Sequence, residues 1–288
     1  MCDPNHQEWR FPVNFELRTE TSTQRNRCTF KKPGRRVPGV SPLFKNRMLW
    51  VVLVQNPRDA RVSNDAAGTA DNFSSFYASK PKSYFAGARA DFIERLPRDP
   101  SAAILEIGCG SGETGALALA EGCCGRYVGV ELFESAAAQA RQFLTEVITG
   151  NVETLAFDWQ PASFDAIILS EVLEHLVEPG RVLKDLSRFV RPGGMVLASS
   201  PNISHWRVIG ELINGRINLE DRGVFDRTHM RWFTPHTFAQ MFEEASFDIH
   251  EVGPVTPFSA RTELISWATR GRFDHLFMAQ IAVQGTRR

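Results

Sequence analysis

Four glycines fall within eight positions in the stretch ILEIGCGSGETG, Ile104 to Gly115, and a carboxylate, Glu106, stands directly before the first of them. Glycines packed this closely behind an apolar run let a backbone turn sharply and come up against a ligand without side chains in the way. A second carboxylate, Glu131, closes the next apolar run, YVGVEL, 21 positions beyond Gly110. Gly110, Gly112 and Gly115 fit the spacing GxGxxG, and an acid about 20 residues further on is where a dinucleotide fold contacts a ribose hydroxyl. Read from Glu106 through Gly108, Gly110 and Gly112, the same loop fits a second kind of nucleotide. A glycine turn that serves only strand-to-helix packing is the plain alternative.

Charge separates the two nucleotides. A pyrophosphate is held by backbone N–H groups at a helix N-terminus, and a neighbouring carboxylate repels it. S-adenosylmethionine carries a positive ammonium, a positive sulfonium and one carboxylate, so Glu106 suits it and the loop N–H groups can meet its carboxylate end. Glu131 is placed to accept from both ribose hydroxyls. In GNVETL, the Asn151 side-chain oxygen is a candidate acceptor for an adenine amino group and Val152 N–H a candidate donor to the ring. Asn at such a position is as often a turn former. Ser170, at the end of FDAIILS, joins Glu106, Gly108, Gly110, Gly112, Glu131, Asn151 and Val152 as a cofactor-binding candidate. A nicotinamide-dependent oxidoreductase stays open as the rival.

Methyl transfer from a sulfonium needs alignment and exclusion of water more than activation of the donor. A hydroxyl acceptor also has to lose a proton, so a base is sought within hydrogen-bond reach. Three histidines lie on segments that follow strands: His175 in SEVLEHL, His205 in SSPNISHW and His229 in FDRTHMRWFT. Imidazole titrates near neutrality, which suits a base, while a structural role is the alternative for each. His229 is the favoured base, with Asp226 placed to orient it and Arg231 to bind an anionic group on the acceptor. Trp206 and Asn202 are candidate substrate contacts. Phe73, Phe76 and Tyr77 are candidates for an aromatic cover over the cofactor.

The elements that must position these groups alternate. Helical spacing of Phe85, Ala88, Phe92 and Leu96 ends at Pro97. Strands are expected at Ala102–Ile107, Tyr127–Leu132, Phe164–Leu169, Met195–Ser200, Phe247–Gly253 and Phe277–Gly285, with a weaker one near Val152–Leu155. Helices are expected over Thr114–Glu121, Glu134–Val147 and Val177–Val190. Arg191, Pro192 and the pair Gly193–Gly194 read as a helix end and a turn. Alternation of this kind builds a parallel sheet with crossover helices on both faces, an α/β fold.

The succession LEIGCGSGETG, YVGVEL, GNVETL, FDAIILSEVLEHLVEP and RFVRPGGMVLASSPN resembles the class I S-adenosylmethionine-dependent methyltransferases over about residues 71–285. PNISHW and GVFDRTHMRWFT resemble a bacterial branch often linked with glycan or polysaccharide biosynthesis. The resemblance implies a Rossmann-like doubly wound sheet of seven strands in the order 3-2-1-4-5-7-6, with strand seven antiparallel. It implies S-adenosylmethionine as cofactor and O-methylation of a small-molecule or glycan-linked acceptor. Two positions depart from its pattern: Asn151 stands where Asp is usual, and Glu171–Val172 where Asp–Val is common.

The whole chain of 288 residues is electrically balanced, with 33 basic and 33 acidic side chains. That argues against a nucleic-acid partner. Residues 1–70 carry 12 Lys and Arg against 6 Asp and Glu and include KKPGRRVPGVSP. They are expected to form a basic, partly disordered extension before a methyltransferase domain at 71–288. A short apolar run, MLWVVLV, reads as a strand, and no stretch reaches the ~18 apolar residues of a membrane span. Cys2, Cys28, Cys109, Cys123 and Cys124 show no CxxC or Cys/His spacing, so no metal is expected, and their odd number argues against a disulfide framework. A reducing, cytoplasmic setting follows. A methyltransferase-like scaffold that binds a partner without turnover is the remaining alternative.

Overall fold

Runs of buried apolar residues form the strands, and the computed structural model describes residues 87–288. The expected extension at 1–70, the run Met48–Val54, the aromatic cover at Phe73, Phe76 and Tyr77, and Phe85 lie outside the described residues. The first short helix, α1 (Ala90–Ile93), buries Phe92 and Ile93, and Leu96 packs beside them. Then follow β1 (Ala103–Ile107), α2 (Glu113–Ala120), β2 (Arg126–Glu131), α3 (Glu134–Ala140), β3 (Glu146–Thr149) and β4 (Phe164–Ser170). A 3-10 turn at Leu173–His175 leads to α4 (Pro179–Ser187), β5 (Val190–Pro201), α5 (Trp206–Ile213), α6 (Pro235–Glu244), β6 (Phe247–Pro254) and α7 (Ala260–Thr269). A second 3-10 turn, Asp274–Leu276, precedes β7 (Gln280–Arg287).

The seven strands lie in the order β3-β2-β1-β4-β5-β7-β6. β1 pairs in parallel with β2 and β4, and β7 runs antiparallel to both of its neighbours. This is the order and direction that the resemblance implies. Successive residues of β1 alternate between two apolar layers. Leu105 and Ile107 join Val128, Ile167, Leu169, Val182 and Leu183 on one face of the sheet. Ile104 joins Tyr127, Ala118, Ile168 and Leu197 on the other. A sheet covered on both faces needs apolar residues at every strand position. Glu106 is the exception within β1.

Helix ends carry their own signals. Pro179 and Pro235 begin α4 and α6, where a missing N–H is no loss. Thr234 caps α6 through a reciprocal exchange with Thr237, and the helix then buries Phe238 and Phe242. Their rings meet one another, Phe233 and Phe247 in tilted and edge-to-face contacts at centroid distances of 5.1–6.2 Å.

Three expectations are corrected. α3 ends at Ala140 rather than running to Val147, because Glu146 and Val147 pair with Val128 and Gly129 as β3. The weaker strand expected at Val152–Leu155 is therefore absent, and residues 152–154 turn instead. Arg191 to Gly194 do not close a helix. α4 stops at Ser187, and the Pro-Gly-Gly segment is an irregularity inside β5, flanked by the pairs Phe164–Val190 and Ala166–Met195.

Gly115 shows how tightly α2 lies on the sheet. A Cβ there would meet Leu144 Cδ2 at 2.3 Å and the Tyr127 ring at 2.6 Å. Gly115→Ala is expected to lose about 1–3 kcal/mol by overpacking, against a helix-propensity gain of about 1 kcal/mol. The urea midpoint should fall at unchanged slope; a midpoint that rises would show that α2 can move away.

Candidate active site

In an open α/β sheet the crevice lies beyond the carboxyl ends of the strands where the winding reverses, here between β1 and β4. A cleft of about 570 Å³ opens there. The glycine loop, the end of β2 and residues 150–152 line one part of it, and most of residues 170–176 with Arg222, Gly223, Val224, Asp226 and His229 line another. Gly108 makes the loop possible. Its φ is +72°, and an added Cβ would lie 2.4 Å from Val172 Cγ2. Gly108 N–H and Cys109 N–H donate to Val130 O at 2.7 and 3.2 Å, which ties the loop to β2.

Glu131 accepts from Gly110 N–H at 2.9 Å and Phe133 N–H at 3.0 Å, so loop and strand end share one carboxylate. Glu106 lines the cleft yet is only 3% exposed, and Tyr127 Oη donates to it at 2.8 Å. Burial raises its pKa to about 7 against the stabilising Tyr127 bond, with the nearby Glu131 adding to the rise and Arg89 opposing it. Cys109 beside it has a strongly raised pKa through burial and the fields of Glu106 and Glu131, so it fills space as a neutral thiol. Asn151 lines the cleft with Val152, and its Oδ1 accepts from Glu153 N–H at 2.9 Å, the turn-forming role. Ser170 lines the cleft at the end of β4.

Arg89 was missed by sequence reasoning. Its guanidinium lies in the cleft, donating to Ser170 Oγ at 2.5 Å and Ser199 Oγ at 2.7 Å and pairing with Asp91 at 2.7 Å. Only the fold carries it to the end of β4, 81 residues away. A fixed cation there suits the carboxylate of a bound ligand.

The histidines divide. His175 and His229 both line the cleft, with ring centroids 4.7 Å apart. His175 Nδ1 lies 3.2 Å from Thr228 O, and His229 Nδ1 lies 3.1 Å from Val224 O. A carbonyl only accepts, so each Nδ1 carries a proton and donates it, which fixes the orientation of both rings. Asp226, 2% exposed, positions His229 by the backbone, its carbonyl accepting from His229 N–H at 3.0 Å, while Oδ1 accepts from Thr228. His205 precedes α5 outside the cleft lining, its pKa lowered by burial and then by Arg207.

The proposed substrate contacts Arg231, Trp206 and Asn202 do not line the cleft either. Arg231 donates to the carbonyls of Met230 and Val177. Trp206 is half exposed at the start of α5. Asn202 is fully buried, donating to His275 O and Met278 O and accepting from Ser204. Gly112 caps α2 with a φ of +87° and packs on Ala140 rather than on the cleft.

A methyltransferase-domain family model matches residues 82–252. The chain belongs to that family. It is 28% identical over 174 residues to the ubiquinone biosynthesis O-methyltransferase of Nitrosospira multiformis, covering 57% of this chain and 70% of that one. It is 32% identical over 115 residues to the trans-aconitate 2-methyltransferase of Azoarcus sp., covering 40% and 45%. The solved S-adenosylmethionine-dependent methyltransferase of Archaeoglobus fulgidus shares the fold at a TM-score of 0.52 and 20% identity, covering 72% of this chain and 97% of that one. The protein is a class I S-adenosylmethionine-dependent methyltransferase. The nicotinamide-dependent and non-catalytic readings are set aside. Among the described residues no helix is long and apolar enough to cross a membrane.

The cleft fits the cofactor chemically. It offers buried carboxylates to a ligand with two positive centres, Arg89 to its single carboxylate, and a loop whose Gly108 leaves no room for a side chain. Glu106 sets a pH dependence. A cationic ligand prefers the ionised acid, so affinity for S-adenosylmethionine should rise with pH up to about 7. It should fall again as the ligand's own amine deprotonates near ~8. Because the folded pKa lies above the usual 4.5, the unliganded protein loses stability as pH rises from there toward 7. Calorimetry across pH 5.5–8.5 checks this, and Glu106→Gln should flatten the acid limb. An acid limb that persists in Glu106→Gln would assign it to another group.

Proposed function

We propose that the methyl group goes to an oxygen of a small-molecule or glycan-linked acceptor seated between the glycine loop and the pair His175–His229. One observation carries this reading: two imidazoles line one cleft with ring centroids 4.7 Å apart, each oriented by an Nδ1 bond to a main-chain carbonyl. S-adenosylmethionine, when bound, supplies a methyl on sulfonium whose bonding electrons leave with sulfur. The chain's own residues then have two tasks. Glu106 and Arg89 orient the charged ends, and Glu131 accepts from the ribose hydroxyls. His229, with His175 beside it, meets the acceptor hydroxyl and removes its proton as the oxygen gains the methyl.

Oxygen is favoured over other acceptors because relatives are named as O-methyltransferases. The glycan-linked alternative rests on the resemblance of PNISHW and GVFDRTHMRWFT. The described cysteines, Cys109, Cys123 and Cys124, are buried thiols, in keeping with action in a reducing cytoplasm.

His229→Ala should cut kcat by about 100-fold or more with the affinity for S-adenosylmethionine unchanged by calorimetry. Full turnover in that variant would remove His229 from the reaction. The acceptor itself can be sought by incubating the chain with labelled donor and panels of phenols, hydroxy acids and glycans.

A further inference from the structure

We propose that Glu174, His175 and His229 hold a divalent transition-metal cation in the cleft, with Glu171 as an additional carboxylate beside it. Cysteine spacing gave no reason to expect a metal, and this set contains no cysteine. One ligand atom from each of Glu174, His175 and His229 lies within 4.8 Å of the others, a span that a single ion can bridge. The proposal concerns the ion alone and does not depend on which acceptor is methylated.

Three further observations point to a ligand. First, Glu174 is 1% exposed, and its Oε1 accepts no hydrogen bond, while Oε2 accepts a 3.2 Å bond from Ser200. A buried carboxylate oxygen left without a donor is costly, and a cation removes the cost. Glu171 also has a buried oxygen, Oε1, with no donor. Second, both histidines give Nδ1–H to a main-chain carbonyl, Thr228 O and Val224 O. That partner is what holds a metal-binding imidazole in the tautomer and orientation that present Nε2. Third, the two halves of the set are fastened together. Glu174 O accepts from Met230 N–H at 2.8 Å and Arg231 N–H at 3.0 Å, so the 3-10 turn and the segment bearing His229 are tied by their backbones.

Two imidazoles and a carboxylate suit Mn²⁺, Fe²⁺, Co²⁺ or Zn²⁺ and leave coordination positions open. An acceptor hydroxyl entering one of them would become more acidic, so its proton would pass to solvent water rather than to imidazole. The lone pair of His229 Nε2 then holds the ion rather than the proton, and loss of His229 stops turnover on either account. Direct metal binding tells the two apart.

The full chain, stripped with chelator and titrated with Mn²⁺ under electron paramagnetic resonance, is expected to bind one ion. His175→Ala, His229→Ala and Glu174→Gln should each weaken binding tenfold or more, while calorimetry with S-adenosylmethionine shows that the variants still fold. Should a variant fail to fold, pulsed spectroscopy of the unsubstituted Mn²⁺-loaded chain decides: nitrogen couplings from two imidazoles support the site. No stoichiometric ion, binding indifferent to all three substitutions, or an ion without nitrogen coupling overturns it. A chain that binds the ion here yet transfers no methyl keeps this inference and ends the O-methyl reading. A chain that methylates at full rate without binding an ion ends this inference and keeps the other.

Discussion

Five carboxyl groups line one cleft, Glu106, Glu131, Glu174 and Asp226 buried and Glu171 partly so, and most of the site's organisation answers to that. Glu106 in β1, Glu131 at the end of β2, and Glu171 and Glu174 just past β4 all have raised pKa values, with burial as the largest cause in each. Taking one carboxylate out of water costs several kcal/mol even after relaxation. The neighbouring groups offset part of it: Tyr127 Oη at Glu106, two backbone N–H groups at Glu131, and Ser200 at Glu174. Glu171 and Glu174 raise the problem further, since the field of one disfavours the charge on the other. Such a cluster repels phosphates and waits for positive charge. A sulfonium with an ammonium supplies it at the glycine loop.

The sheet explains why these acids converge, and the segment between β5 and α6 explains how the cleft is closed off. Parallel strands deliver their carboxyl ends to one edge, so residues remote in sequence become neighbours there. The later segment is fastened from three sides. Asn202 bonds to His275 O and Met278 O, a bridge links Asn202 with Phe233, and Glu174 O receives two N–H groups from Met230 and Arg231. Seen this way, Asn202 and Arg231 hold His229 in place without touching the cleft.

The strands were legible because buried parallel strands leave long apolar runs, their order came from the family resemblance alone, and the glycine loop announced the cofactor end of the cleft. Boundaries failed where that signal weakens. The alanines of α3 carry little periodic contrast, and β3 is a half-exposed edge strand whose Glu146–Thr149 does not read as apolar. The type of Glu106 was legible, but its partner Tyr127 lies 21 residues on, and only the pairing of β1 with β2 joins them. Arg89 reaches Ser199 across 110 residues. His175 and His229 were each recognised as candidates, yet nothing local indicates that they meet. Their separation of 54 positions matches no ligand spacing that a sequence advertises.

The backbone at the junction shows what the arrangement costs. Glu171 has a φ of +54°, a left-handed conformation that an ordinary side chain adopts at about 1 kcal/mol or more. The conformation is imposed from both sides: Glu171 N–H donates to Ser199 O at 3.1 Å, and His175 N–H closes the following turn on Val172 O at 3.0 Å. It sends the chain off the end of β4 and directly into the 3-10 turn, so that Glu171, Glu174 and His175 all line the cleft within five residues. Strain and unpaired buried carboxyls together amount to a few kcal/mol. A ligand present at a hundred times its dissociation constant returns about 2.7 kcal/mol to the folded state. The two quantities are of the same order, so a bound cation can offset the cost of gathering these acids while the fold retains the geometry.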